Sequence, residues 1–221
     1  MSITIPAIIR NDECLYEGNL IKYFQIIFST AQNLSLPYHN FRHMFGMLWN
    51  GYDACRFYKG TASSIGMRNL LIGIMFHDYN HSGMLGDDDL NIARAIRGLK
   101  KHVLEEDKKN LEKIIQIIEA TEFPHKNRTD RHLNLMEMII RDADMMQVFD
   151  VSWIQHVIFG LSAEWAKTPL EILRMQESFL RGIKWNTTWA KEKIPQEKIE
   201  EKIKEVNNLL VIVRSAEVEK V

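Results

Sequence analysis

Two histidine pairs in this chain are spaced by four residues, His39 with His43 and His77 with His81. On a helix that step places two side chains on one face. Imidazole is the commonest protein ligand for first-row divalent metals, and carboxylates extend the choice to harder ions. Asp78 follows His77 directly at the end of the hydrophobic run LLIGIMFHDYNH, residues 70–81, and Asp142 lies inside the equally apolar LMEMIIRDADMMQVFD. Charges and imidazoles buried in such surroundings are costly unless something pairs with them. His43, His77, Asp78 and Asp142 therefore make a candidate set for one or two divalent ions. Manganese, iron, zinc, nickel, cobalt and magnesium all remain open as the metal.

Helices must position these side chains. Adjacent His77 and Asp78 cannot point the same way on a regular helix, but they can converge if the helix ends there, and SGMLG just downstream signals an end. Apolar residues recurring at three- and four-residue steps predict helices over 16–34, 37–58, 65–78, 88–100, 104–121, 130–149, 151–166, 168–186 and 195–213. In 104–121 the stripe is Leu104, Leu111, Ile114, Ile115 and Ile118, with lysine and glutamate opposite. No strict alternation marks a strand. The expectation is an all-α bundle of eight or nine helices in a single domain over 1–221. Its metal-site core spans about 36–185, and the lysine- and glutamate-rich helix 195–213 packs on it. Asp87, Asp88 and Asp89 are placed to cap helix 88–100.

Composition bounds the function. Of 221 residues, 46% are hydrophobic and 26% charged, as expected for a chain with a sizeable core. A formal net charge of −1 offers no basic field for nucleic acid, so an anionic ligand must be held by a local site. The two cysteines, Cys14 and Cys55, make no disulfide framework and fit a reducing, cytoplasmic setting. No run reaches the ~18 apolar residues of a membrane helix, and MSITIPAIIRNDE lacks the basic start of a signal peptide.

A histidine, a His-Asp doublet and a distant aspartate, all on helices, resemble the signature of the HD superfamily of metal-dependent phosphohydrolases. Tyr38-His39-Asn40-Phe41-Arg42-His43 and His77-Asp78-Tyr79-Asn80-His81-Ser82-Gly83 are similar to the YHN-x-x-H and HD-x-x-H-x-G motifs of the class I cyclic nucleotide phosphodiesterases. Gln176-Glu177-Ser178-Phe179 is similar to that family's base-gripping Gln-x-x-Phe. Small bacterial HD proteins also carry YHN-x-x-H and a late segment like Phe179-Leu180-Arg181-Gly182-Ile183-Lys184-Trp185. The chain departs from the phosphodiesterases in its shorter length, in Asn80 where they have a second aspartate, and in MLGDDDLN after the glycine.

The resemblance implies a compact HD-type bundle that hydrolyses a nucleotide-like phosphoester, cyclic or not. It assigns metal binding to His43, His77, Asp78 and Asp142, with Asp78 bridging to a second ion. His39 becomes the general acid, His81 supports the metal-bound waters, and Tyr38, Gln176 and Phe179 contact substrate. Asn40, Asp144 and His125 are candidates for supporting roles. Asp144, about 200° around a helix from Asp142, is expected to point away from the ion that Asp142 holds. His39 is expected one helical turn from His43, and a nearby Asp or Glu would raise its pKa toward a useful value. Two other classes stay open: an HD-fold di-iron oxygenase, and a metal-stabilised binding module without catalysis. Stable nucleic-acid binding and membrane association are not expected, and the oligomeric state is open.

Overall fold

Residues 67–76, the most apolar stretch of the chain, are buried at every position in the computed structural model, which describes residues 4–123 and 132–218. They belong to α4 (Ser64–Phe76), which starts where the Ser63 hydroxyl accepts the Gly66 N–H at 3.1 Å. α4 is the axis of the fold. Around it pack α2 (Ile21–Thr30), α3 (Phe41–Phe57), α5 (Asp88–His102), α6 (Leu111–Glu119) and α7 (Leu135–Met145). Each large apolar side chain buried there contributes about 1.5–3 kcal/mol. Gly73 lets α6 approach closely: a Cβ there would stand 2.8 Å from the Ile117 side chain. The one cation buried on α4, Arg68, is paired by two 2.7 Å hydrogen bonds to Asp107, which also accepts the Tyr23 hydroxyl at 2.8 Å.

The remaining helices are α1 (Ile5–Arg10), α8 (Gly160–Glu164), α9 (Pro169–Gly182), α10 (Thr188–Lys193) and α11 (Gln196–Val218). α11 lies along α9, and Glu205 accepts the Trp153 indole N–H at 3.0 Å. No β-strand occurs among the described residues, so the fold is all-α. None of the helices is long and apolar enough to cross a membrane.

Local chemistry moved several boundaries. α3 begins at Phe41 rather than 37, because the extended Asn40 caps it, its side chain accepting the Arg42 and His43 N–H groups at 2.8 and 3.2 Å. His39 therefore precedes the helix and is not one helical turn from His43. Segment 16–34 shortens to α2 because the chain turns at Gly18, where φ is +68°. Asp87 occupies the cap position of α5 without a side-chain cap bond, and Asp88 instead accepts the Phe123 N–H at 2.8 Å. α1 and α10 were not anticipated; both are only six residues long, too short to show a period. His125 lies outside the described residues.

Candidate metal centre and its neighbouring acid–base group

α4 ends at Phe76, and the chain keeps helical dihedrals through His77 before turning. That ending lets two consecutive side chains face one point. His77 Nδ1 lies 2.7 Å from the Ile74 carbonyl oxygen, an acceptor, so Nδ1 carries the proton and Nε2 faces inward. Nε2 lies 3.0 Å from Asp78 Oδ2 and 3.1 Å from His43 Nε2. His43 Nε2 in turn lies 3.2 Å from Asp78 Oδ2 and 3.2 Å from Asp144 Oδ1. His43 is held in place by the Asn40 cap and by Gln147, whose amide donates to the His43 carbonyl at 2.8 Å. Its ring Nδ1 is buried with no hydrogen-bond partner among the described residues.

This donor set fits a divalent ion. Two imidazoles and two carboxylates bring their atoms within 3.0–3.2 Å of His43 Nε2 or His77 Nε2. Adjacent ligands of an octahedral ion with bonds of about 2.1 Å stand about 3.0 Å apart, so the spacing suits shared coordination. Without an ion the same crowding loads the site with charge coupling. Burial would lower the His77 pKa, but the Asp78 charge and hydrogen bond outweigh it and push it up to about 9. Burial would raise Asp78, but His77 and the other histidines hold it well below the usual range. Asp144 is likewise held low against burial by its hydrogen bond to His43.

Asp144, not Asp142, completes the cluster. Asp142 is fully buried on the other side of α7, where its carboxylate accepts four donors. They are Asn186 N at 2.9 Å, Asn186 Nδ2 at 2.8 Å, Thr187 N at 2.8 Å and the Thr187 hydroxyl at 2.7 Å. The Thr187 hydroxyl also caps α10, accepting the Ala190 N–H at 3.1 Å. Asp142 thus ties α7 to the start of α10 and has no oxygen left over for an ion. The expected opposition of the two aspartates holds; the expected assignment is reversed.

A second group lies beside the first. His39 Nδ1 sits 2.6 Å from Glu164 Oε2, while Glu164 Oε1 accepts the Tyr38 and His39 backbone N–H groups at 2.6 and 2.8 Å. Glu164, at the end of α8, therefore fixes both the ring and the backbone of His39. Burial would lower the His39 pKa, but the Glu164 hydrogen bond and the charges of Asp78, Glu164 and Asp144 raise it overall. Burial would raise Glu164, and His39 holds it low instead. The His81 ring stacks on His39 with centroids 3.6 Å apart and planes 20° apart. Its Nδ1 accepts the Gly83 N–H at 2.9 Å, and its Nε2 lies 2.9 Å from the Asn91 amide nitrogen. The Asn91 oxygen also accepts Ser82 N and Arg94. Because Nδ1 accepts, Nε2 carries the single proton of the neutral ring, and the His81 pKa is driven down to about 4, first by burial. His81 stays neutral.

The other expected residues have these places. The Tyr38 ring lies 4.8–5.0 Å from the rings of His39, His43 and His156, packing over the cluster. Asn40 is the helix cap described above. Gln176 is buried and donates to the Ile172 carbonyl of its own helix at 3.1 Å, and Phe179 packs on Phe123 at 6.3 Å. Neither has a described contact with the histidines. Asn80, which replaces the family's second aspartate, is a backbone residue: φ is +59°, its N–H donates to Asn33 and its Oδ1 accepts Gln32 N. Arg42 pairs with the Ser152 hydroxyl and Arg141 donates to the Ala120 carbonyl at 2.7 Å. Glu164, Asn91 and His156 were not singled out from sequence. Glu164 is the carboxylate that a basic His39 requires, but nothing in GLSAEW marks it.

Two groups of side chains can hold a metal ion, His43 with His77 and Asp144, and His39 with His81 and Glu164. In the second, Glu164 also accepts two backbone N–H groups; in the first, the inward-facing atoms contact only one another. The chain matches no protein-family model and no curated protein.

Proposed function

We propose that the protein is a divalent-metal-dependent phosphohydrolase acting on a nucleotide-like phosphoester, with His43, His77, Asp78 and Asp144 as the ligands. The observation that carries this reading is the half-buried His39–Glu164 pair set directly beside a four-donor cluster. A divalent ion supplies Lewis acidity toward phosphoryl oxygens and lowers the pKa of water.

The chain's own residues supply the rest. Glu164 takes the Nδ1 proton side of His39, which leaves Nε2 as the atom that can carry and release a proton to the departing oxygen. The negative charges around His39 keep it protonated to higher pH than a free imidazole. Neutral His81, flat against it, excludes water from one ring face and fixes the ring plane. Tyr38 closes the other side beside His43.

The test is hydrolysis of bis-p-nitrophenyl phosphate and of a panel of cyclic and linear nucleoside monophosphates with manganese added. The wild type should turn over at least one, with Asp144→Ala inactive and His39→Gln impaired by about 10²–10⁴-fold at unchanged metal content. No turnover by the metal-loaded wild type on any of them, or full activity in His39→Gln, would falsify the assignment.

A further inference from the structure

Three residues on the stretch leading through α8 meet the three residues Pro37, Tyr38 and His39. The Tyr38 carbonyl is the backbone acceptor that faces the His156 ring, and the two rings lie 5.0 Å apart. Gly160 lies against Pro37 and Tyr38: a Cβ there would stand 3.0 Å from the Pro37 carbonyl oxygen and 3.2 Å from Tyr38 Cβ. Glu164 accepts the Tyr38 and His39 N–H groups at 2.6 and 2.8 Å, and its other oxygen lies 2.6 Å from His39 Nδ1. The short segment that carries His39 is therefore held at its carbonyl side and its N–H side by one helical stretch.

A continuous α-helix would not do this. Eight α-helical residues advance about 800°, so His156 and Glu164 would point about 80° apart. Ile154–Phe159 is π-helical instead. At about 4.4 residues per turn, the four residues from His156 to Gly160 advance about 330°. The four α-helical residues from Gly160 to Glu164 advance about 400°. The shortfall and the excess cancel to within about 10°, which puts all three residues on one face. Gly160 itself has ordinary helical dihedrals, φ −62° and ψ −54°, so conformation does not demand glycine there. The close approach does. The Pro37 carbonyl cannot retreat freely, because the Asn40 side-chain amide donates to it at 3.0 Å and to the Leu36 carbonyl at 2.8 Å while the same side chain caps α3.

We propose that the face formed by His156, Gly160 and Glu164 positions His39, and that Gly160 is a positioning residue because only a bare backbone lets α8 come near enough for Glu164 to reach the His39 ring. Its meaning for proton transfer rests on the phosphohydrolase reading; the grip itself does not. An ordinary helical glycine and a positioning one predict opposite outcomes. Alanine at the first is stabilising, whereas alanine at the second pushes Glu164 away from His39.

The test is NMR of full-length protein carrying ¹⁵N-labelled histidine, in chelator. The readout is the low-field imidazole N–H resonance of the short His39–Glu164 hydrogen bond, identified by its absence from His39→Gln. Gly160→Ala should remove that resonance or shift it upfield. Gly182→Ala, at a glycine with nothing within 4 Å of an added Cβ, should leave it in place. His156 gives a second reading should Gly160→Ala fail to fold. His156→Leu cannot donate to the Tyr38 carbonyl and should shift or weaken the resonance, whereas His156→Gln can donate and should keep it. The proposal is overturned by an unchanged resonance in Gly160→Ala or in His156→Leu, by its loss in Gly182→Ala or His156→Gln as well, or by a wild type with no His39-dependent resonance. Because metal and substrate are left out, a wild type that hydrolyses no phosphoester overturns the phosphohydrolase reading and leaves this comparison standing.

Discussion

Replacing Asp142 and Asp144 one at a time separates a structural carboxylate from a ligand only two residues away. In Asp142→Ala, four donors from Asn186 and Thr187 lose their acceptor in a fully buried place. Hydrogen bonds to a charged group contribute about 1.5–3 kcal/mol each, and four of them would sum to more than a relaxed variant loses. Asn186 is partly exposed and can re-solvate, whereas Thr187 is buried, and burial itself already raises the Asp142 pKa, opposed by these same bonds. The cost of breaking such a buried charged network is about 3–5 kcal/mol. For a chain of this length that lowers the melting temperature by about 6–20 °C. Metal content per folded chain should be unchanged. Asp144→Ala should do the reverse: metal lost, with the metal-free melting temperature moved by only a few degrees. Differential scanning calorimetry in chelator, beside plasma mass spectrometry of the same samples, reads both. Loss of metal in Asp142→Ala with little loss of stability would refute the reasoning.

Four other expectations follow from the same geometry. His39 is raised above its ordinary value of 6.5 and Glu164 lowered below 4.5, so the pair stabilises most between about pH 4.5 and 6.5. Its contribution fades as pH falls through the lowered Glu164 value or rises through the raised His39 value. The melting-temperature gap between wild type and Glu164→Gln, measured in chelator from pH 4 to 9, should peak in that window, and a flat gap would count against the pair. His77, pushed up to about 9 in the ion-free site, must lose its Nε2 proton to bind metal. Manganese titrations at neutral pH in buffers of different ionisation heat should therefore show release of about one proton; no buffer dependence would contradict this. Manganese at a hundredfold excess over its Kd should stabilise the protein by about 2.7 kcal/mol, and Asp144→Ala should abolish the increment. Gly98→Ala should cost about 1–3 kcal/mol in urea unfolding, because its Cβ would overlap the Tyr79 ring; an unchanged midpoint would show that the ring moves freely.

The sequence carried the fold class, and the histidines and His-Asp doublet of a group that could hold a metal, through its clearest signals. Apolar periodicity placed the long helices, and the polar ending of 70–81 correctly implied a helix end that lets His77 and Asp78 converge. Asp142 and Asp144 were indistinguishable in sequence because both flank the same apolar stripe. The deciding partner, the Asn186-Thr187 turn, lies more than forty residues away and is silent until the chain folds. Glu164 was hidden for the same reason: its helix has five residues, ahead of it runs a π-helical segment that breaks the 3.6-residue period, and its partner is 125 residues distant. His39 was placed on a helix because the Asn40 cap was read only as a motif residue. Gln176, singled out by a motif match, donates to the Ile172 carbonyl of its own helix.

The central claim is that His43, His77, Asp78 and Asp144 hold a divalent ion. Plasma mass spectrometry of the wild type after manganese loading and gel filtration, beside Asp78→Ala and Asp144→Ala, tests it most directly. The account predicts at least one ion per wild-type chain and a marked loss in both variants. A wild type that retains no metal after loading with manganese or zinc, or variants that retain as much as the wild type, would contradict it.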